Sequence, residues 1–183
     1  MHRTAWALIG ALTVGGLSVL AQAPAQAPVA ASAAPPQQVF ADMNQLMRGV
    51  LYPAANVVFA SQLENAGEVK LTPGHDPSMS TDPLTSTYGG WTAIENGALA
   101  LAESGNLLLI PRSCANGVPA PTQDPAWVGF VQDMRAVSMK AYAAAKAKED
   151  QEKMIALSET LAKTCSSCHR RWRDRRGAEA RCK

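Results

Sequence analysis

Residues 165–169 read Cys-Ser-Ser-Cys-His, and these side chains are the ones in the chain best suited to chemistry. The pattern is the attachment signature of a c-type haem. On an α-helix, positions i, i+3 and i+4 lie on one face. Cys165 and Cys168 would therefore form thioethers with the two haem vinyl groups while His169 binds the iron. The sequence predicts one covalently attached haem c, with its iron, held by these three residues.

Three other interpretations of the cysteines remain open at this point. A thioredoxin-like dithiol also uses Cys-x-x-Cys, but normally at a helix N-terminus after a strand, where the helix dipole lowers a thiol pKa. Here the motif lies late in a helical pattern. A structural zinc site needs four ligands and would have to recruit Cys114 and Cys182 without paired spacing. The third alternative is a simple disulfide between Cys165 and Cys168.

Helices must position the motif, because apolar residues recur at three- and four-residue steps in four stretches. The first stretch begins at Val39, and Pro53 is expected to kink or break it near Tyr52. Its predicted core face consists of Val39, Met43, Leu46, Met47, Val50, Leu51, Ala54, Val57 and Val58.

The other three helical stretches have clearer ends. The second covers residues 91–109 and is stopped by Pro111. The third has Asp124 as its N-cap and Pro125 at the first helical position, and the fourth starts near Asp150. The predicted core faces are Trp91, Ile94, Ala98, Leu101, Ala102, Leu108 and Leu109; Trp127, Phe130, Val131, Met134, Val137, Ala141 and Ala145; and Met154, Leu157, Leu161, Cys165, Cys168 and Trp172.

The composition agrees with a helical chain. The 183 residues include only 4 Trp, 3 Tyr and 3 Phe, which disfavours an all-β sandwich or barrel. A long loop is predicted at about residues 65–88, whereas the short charged connection around 148–150 favours antiparallel neighbours. We therefore predict an all-α fold over residues 39–183, an up-down-up-down antiparallel four-helix bundle.

The N-terminus is typical of an exported protein. Residues 1–21 predict a signal peptide, because Arg3 precedes an uncharged apolar stretch that ends in small residues before a cut after Ala21. An uncleaved membrane anchor is the alternative. Residues 22–38 are almost entirely Ala, Pro and Gln, a composition typical of a disordered linker. These features predict a periplasmic protein without a membrane span after cleavage.

Charge is unevenly distributed along the chain. The total is only +2, which disfavours a dispersed nucleic-acid footprint, and we expect no nucleic-acid partner. Residues 163–183, however, hold eight basic side chains against two acidic ones. This cluster could pair with haem propionates or dock an acidic redox partner, or it could be a solvated helix end that complements the dipole. Its members nearest the motif are Arg170, Arg171, Arg173, Arg175 and Arg176.

A haem motif near the end of a four-helix chain resembles the class II c-type cytochromes, the cytochrome c prime group. The resemblance covers roughly residues 39–175. It includes Leu46-Met47 upstream of Pro53-Ala54-Ala55, and the run Ala-Leu-Ala-Leu-Ala-Glu-Ser-Gly-Asn-Leu-Leu at residues 98–108. It implies a periplasmic electron carrier that is not an enzyme, and it leaves a homodimer open. The two extra cysteines and the long arginine-rich tail depart from that pattern.

The resemblance also implies where a sixth iron ligand would come from. In class II cytochromes the first helix lines the distal side, and low-spin members use a methionine there. Met47 would lie roughly 12 Å from the bundle end at which the first helix begins, and His169 roughly 9 Å from the same end if the fourth helix ends near Arg175. Met43 lies one turn earlier, and His75 is assigned to the long loop. Flexible core packing is the alternative role for the methionines.

Three functions follow from these alternatives. A filled sixth position predicts a carrier of single electrons, whereas an open one predicts a five-coordinate haem protein that binds nitric oxide or carbon monoxide as a sensor or scavenger. The third is a dithiol oxidoreductase that uses the motif cysteines without haem.

Independently, Cys114 and Cys182 would lie at the same end of the predicted bundle. An exported compartment permits a disulfide between them; unpaired thiols are the alternative.

Overall fold

The computed structural model describes residues 37–70, 84–85, 88–174 and 182. Their regular secondary structure is helical, and the β-structure among them is an isolated bridge between Ser113 and Pro119. The predicted all-α class is therefore confirmed. The signal peptide, nearly all of the predicted linker, His75, Arg175 and Arg176 lie outside the described residues.

Five α-helices and one π-helical turn make up the described chain. They are α1 (Met43–Leu46), the π-helical turn (Met47–Leu51), α2 (Tyr52–Ala60), α3 (Trp91–Leu108), α4 (Pro125–Ala147) and α5 (Gln151–Trp172). The first three segments are continuous along the chain. Helix α3 packs against α2 and α4, and α5 packs against α4 and α2. Within the described part of the chain, no helix has the length and apolar character needed to cross a membrane.

Side-chain caps fix the N-terminal ends of α4 and α5. The Asp124 carboxylate accepts a hydrogen bond from the backbone N–H of Ala126 at 2.8 Å, with a proline at the first helical position. The Asp150 carboxylate accepts one from the N–H of Lys153, also at 2.8 Å. Between these helices Lys148 adopts a left-handed conformation, with φ of 54°. The predicted helix starts and the short connection are confirmed.

The first helical stretch begins later than its apolar pattern predicts. A capping box closes its N-terminus: the Asp42 side chain accepts from the N–H of Gln45 at 2.7 Å, and the Gln45 side chain accepts from the N–H of Asp42 at 2.9 Å. Val39, placed on the core face by its spacing, precedes this cap and is 42 % exposed. The prediction for Val39 is therefore wrong, because the cap sets the helix start at Met43.

Pro53 interrupts the α-helical hydrogen bonds without ending the helix. Proline has no N–H, and its ring collides with the carbonyl four residues earlier in a regular α-helix. The preceding turn is π-helical instead, and the N–H of Tyr52 reaches back five residues to the carbonyl of Met47. The irregularity lies where the sequence predicts it, but it widens the helix rather than breaking it.

The π-helical turn changes which side chain faces the core. In this turn a residue lies above the one five positions earlier, so Leu51 continues the buried face from Leu46. Val50, which a regular α-helix would bury, is turned outward and is 37 % exposed. The prediction that Val50 belongs to the core is wrong for this reason.

The core faces predicted for the later helices are observed. Every residue assigned to the faces of α3, α4 and α5 is buried or half-buried. A small polar contact ties α5 to the end of α2: the hydroxyls of Ser158 and Ser61 both donate to the carbonyl of Val58, at 3.0 and 2.6 Å. All of these groups are buried, and polar atoms without hydrogen-bond partners would destabilise the fold there. The contact supplies those partners.

We expect Gly97→Ala to destabilise the protein by about 1–3 kcal/mol. A Cβ at this position would lie 2.9 Å from the carbonyl oxygen of Ala54 and 3.0 Å from the Cβ of Val57. Helices α2 and α3 would have to move apart, a cost that exceeds the gain of about 0.5–1 kcal/mol in helix propensity. Urea unfolding followed by circular dichroism measures the change.

Gly129→Ala is the matched control for that substitution. This glycine also lies inside a helix, but a Cβ there would meet no atom within 4 Å. We expect the free energy of unfolding to rise by up to about 1 kcal/mol. Equal effects of the two alanines would contradict a close α2–α3 contact at Gly97.

Candidate functional site

The Cys-x-x-Cys-His motif lies in the last two turns of α5. The helix is regular from Gln151 to Trp172, so Cys165, Cys168 and His169 share one face as predicted. All three are half-buried, and neither cysteine forms a disulfide. The motif therefore presents two free thiols and an imidazole from a single rigid element.

A cavity of about 490 Å³ lies against this face and contains all three motif side chains in its lining. Its volume falls within the range of about 300–1,000 Å³ that is usual for small-molecule and cofactor sites. The wall is mainly apolar and comes from every helical stretch. Its apolar members include Leu51, Ala55, Phe59, Leu101, Leu108, Trp127, Phe130, Val131 and Met134.

The two candidate methionines line the same cavity as the motif. Met43 is 4 % exposed and belongs to the hydrophobic core at the start of α1. Met47 is half-buried and only packs against that core. It also begins the π-helical turn, a feature frequently found at functional sites. The packing of the core therefore depends less on the side chain of Met47 than on that of Met43.

Two tryptophans that the sequence assigned only to the core also line the cavity. The rings of Trp127 and Trp172 meet edge to face, with centroids 5.9 Å apart and planes at 63°. The indole N–H of Trp127 donates to the carbonyl of Leu108 at 3.0 Å, which satisfies a carbonyl at the end of α3. The pair therefore joins the ends of α3 and α5 to the start of α4 beside the motif.

The other two cysteines are joined to each other. Cys114, in the loop after α3, forms a disulfide with Cys182, and their Cα atoms lie 4.9 Å apart. Of the two alternatives that the sequence left open, the structure contains the bonded one. Both residues are buried, and both line the cavity that contains the motif.

Burial raises the pKa of both motif thiols. The pKa of Cys168 rises to about 11 because burial disfavours the thiolate, with a further contribution from the neighbouring Cys165. Burial also raises the pKa of Cys165, against a smaller opposing effect of a backbone hydrogen bond. Dithiol catalysis requires a lowered thiol pKa. These environments therefore disfavour a thioredoxin-like role for the pair.

The imidazole of His169 is held toward its neutral form. Burial lowers its pKa, the positive charge of Arg173 lowers it further, and Asp174 acts in the opposite direction. Neutral imidazole is the form that binds metals. The surroundings of His169 therefore suit a ligand to iron.

One of the described arginines of the basic cluster reaches the cavity. Among its described members, Arg173 lines the cavity and also forms an ion pair with Asp174, at 2.6 Å between Nε and Oδ1. That hydrogen bond is the main reason why the pKa of the Asp174 carboxyl is lowered. Arg170 donates to the hydroxyl of Ser167 at 3.0 Å and is exposed. Arg171 is exposed as well.

Arg48, which belongs to none of the sequence motifs, also lines the cavity. A signal was present, since Arg48 is the one basic residue between positions 39 and 69 and immediately follows Met47. Asn44 and Tyr52 line the same region from neighbouring turns. The cavity thus has polar groups from the first helical stretch as well as from α5.

The residues present fit a covalently bound haem. The two thiols and the imidazole are the required donors, the apolar wall suits a porphyrin ring, and Arg48 and Arg173 suit its carboxylates. The buried indole N–H of Trp172 has no acceptor among the described residues, and such a cofactor would bring acceptors. No group of three or more His, Cys, Asp or Glu side chains in the described ranges is placed to hold a metal ion. Haem iron needs only axial ligands from the protein.

Comparison with known proteins finds no matching family model, no matching curated protein and no matching solved structure. The resemblance to class II cytochromes therefore rests on the motifs in the sequence.

Proposed function

We propose that this protein is an exported, periplasmic c-type cytochrome that transfers single electrons and has no catalytic activity of its own. One haem c would be held by thioethers from Cys165 and Cys168, with its iron bound by His169 and Met47. The observation that carries the proposal is the shared cavity: residues from opposite halves of the chain, with the donor types that such a haem needs, line one apolar space.

The proposed arrangement of the helices is an up-down-up-down four-helix bundle. The contacts of α3 with α2 and α4, and of α5 with α4 and α2, support it. In such a bundle the first helical stretch begins at the end where α5 finishes. Met47 lies four residues, or roughly 6 Å, after the start, and His169 three residues, or roughly 5 Å, before the finish. Both helix ends differ from those predicted from the sequence, but Met47 and His169 still lie at similar distances from this end of the proposed bundle.

Each part of the cavity would have a distinct role. The bound haem supplies an iron that alternates between ferric and ferrous, which is the chemistry of electron transfer. The neutral imidazole of His169 and the thioether of Met47 would hold that iron. The apolar wall, including the Trp127–Trp172 pair, excludes water. The guanidinium groups of Arg48 and Arg173 would bind the two carboxylates of the haem.

The exposed arginines beside the site support a docking role. Arg170 and Arg171 are exposed and follow the motif directly. Positive charge near a redox centre increases the rate of encounter with an acidic partner. We therefore propose that the redox partner is an acidic protein that approaches this end of α5.

A visible absorption spectrum of the ferrous protein tests the function. We expect a haem that remains attached after denaturation and a low-spin spectrum that carbon monoxide changes only slowly, because Met47 must first leave the iron. The protein must be produced in a host that matures c-type cytochromes. A high-spin spectrum that shifts with carbon monoxide would favour the gas-binding alternative, and the absence of attached haem would contradict the cytochrome assignment.

A further inference from the structure

A short segment after α3 is linked to both helices that would supply the iron ligands, directly to one and through Cys182 to the other. Residues 112–114 lie in the loop that precedes α4, away from the motif in sequence. Their contacts involve the start of the first helical stretch on one side and the end of α5 on the other. We call this stretch the 112–114 segment.

On the α5 side the attachment consists of the disulfide and one backbone hydrogen bond. Cys114 is bonded to Cys182, and the N–H of Cys182 donates to the carbonyl of Trp172 at 3.1 Å. Trp172 is the last residue of α5 and lies three positions after His169. The disulfide thus connects the 112–114 segment to the last turn of the helix that carries the proximal ligand.

On the other side the attachment consists of two hydrogen bonds. The N–H of Met43, the first residue of α1, donates to the carbonyl of Ser113 at 2.8 Å. The guanidinium of Arg112 donates to the carbonyl of Ala41 at 3.1 Å. Because Met47 lies one turn after Met43, the helix that carries the proposed distal ligand is held at its start.

The disulfide is itself part of the cavity wall. Cys114 is 2 % exposed and Cys182 is 9 % exposed, and both line the cavity. The disulfide therefore forms part of the boundary of the proposed haem site. Loss of the bond would affect the wall as well as the connection between the two helices.

We propose that the Cys114–Cys182 disulfide positions the two axial ligands of the iron and keeps the distal side closed to external ligands. This inference rests on the proposed function, since it needs a haem with Met47 as its sixth ligand. Functional sites require their groups to be held within about 0.5 Å of the productive geometry. The contacts from Trp172 through Cys182, Cys114 and Ser113 to Met43 restrict how far the two ligand helices can move relative to each other.

Carbon monoxide association to the ferrous protein tests the role of the disulfide. We expect Cys114→Ser/Cys182→Ser to bind the gas at least about tenfold faster than the wild type, because the fraction of molecules with Met47 off the iron rises. The methionine–iron charge-transfer band of the ferric protein should weaken in parallel. An unchanged rate and an unchanged band in this variant would overturn the proposal.

Ser158→Ala is the control for a general loss of stability. It removes a buried hydrogen bond to the carbonyl of Val58, and Ser158 does not line the cavity. We expect this variant to unfold more easily but to keep the wild-type rate and band. If it opens the haem to carbon monoxide as much as the disulfide variant does, the effect is one of stability and the positioning role is wrong.

Reduction of the wild-type protein gives a second test that needs no variant to fold. Dithiothreitol would transfer two electrons and two protons to the sulfurs of Cys114 and Cys182 as its own thiols close to a disulfide, whereas the thioethers of Cys165 and Cys168 are not reduced. We expect faster carbon monoxide binding than in protein reduced with ascorbate alone, and no such difference in the disulfide variant. Alkylation of the denatured protein shows whether Cys114 and Cys182 have been reduced, and equal rates in protein that has been reduced there would contradict the proposal.

The outcomes separate this inference from the proposed function. Absence of attached haem contradicts the cytochrome itself. A low-spin haem whose ligand binding is indifferent to the disulfide contradicts only the positioning role. A wild-type haem that is already open to carbon monoxide contradicts both Met47 ligation and the positioning role.

Discussion

Replacing Cys165 and Cys168 together with alanine is expected to abolish covalent haem attachment. No thioether can then form, so denaturation and solvent extraction should remove all haem from the polypeptide. Each single alanine variant should retain haem through the other cysteine. Its reduced spectrum should shift to longer wavelength, because one vinyl group stays conjugated with the porphyrin. Haem staining of denaturing gels and the spectrum of the denatured protein measure both effects.

Ser166→Ala is the matched control within the motif. Ser166 is exposed between the two cysteines and does not line the cavity, so the spacing and the donors remain. We expect normal haem content in this variant. Equal loss of haem in Ser166→Ala would mean that disruption of α5, rather than loss of the thiols, explains the double variant. Persistent attachment in the double variant would disprove the thioether assignment.

The second large effect is expected for Met47→Ala. Loss of the thioether ligand should convert the haem from low spin to high spin and open the sixth position. If Met47 leaves the iron free in roughly 1 % of wild-type molecules, its removal speeds carbon monoxide binding by about 100-fold. Met47→Leu should give the same spectrum with less loss of stability, since it keeps the side-chain volume. Absorption spectra and flash photolysis provide the measurements.

Met43→Ala distinguishes the two candidate methionines. Met43 is 4 % exposed in the core, so its truncation should lower the free energy of unfolding by about 2–5 kcal/mol. We expect the haem to stay low spin in the molecules that fold. If Met43→Ala opens the iron and Met47→Ala does not, the distal ligand is Met43. If neither does, the sixth position has no methionine.

Local sequence features predicted much of the fold because they act within a few residues. The carboxylates of Asp124 and Asp150 cap nearby N–H groups, and the three- and four-residue apolar spacing follows from the geometry of one helix. The same reasoning placed Cys165, Cys168 and His169 on one face of α5. The failures were also local: the Asp42–Gln45 capping box and the π-helical turn were not recognised.

The sequence by itself determined the helices and the donor set of the motif, since both depend on short-range geometry. Only the tertiary structure decided that Met43, Met47 and Arg48 meet that motif in one cavity, and that Cys114 reaches Cys182. It also decided that Trp127 and Trp172 pack edge to face beside the motif. These contacts join residues from different helices, and they depend on how apolar faces pack in three dimensions. No spacing along the chain encodes that packing.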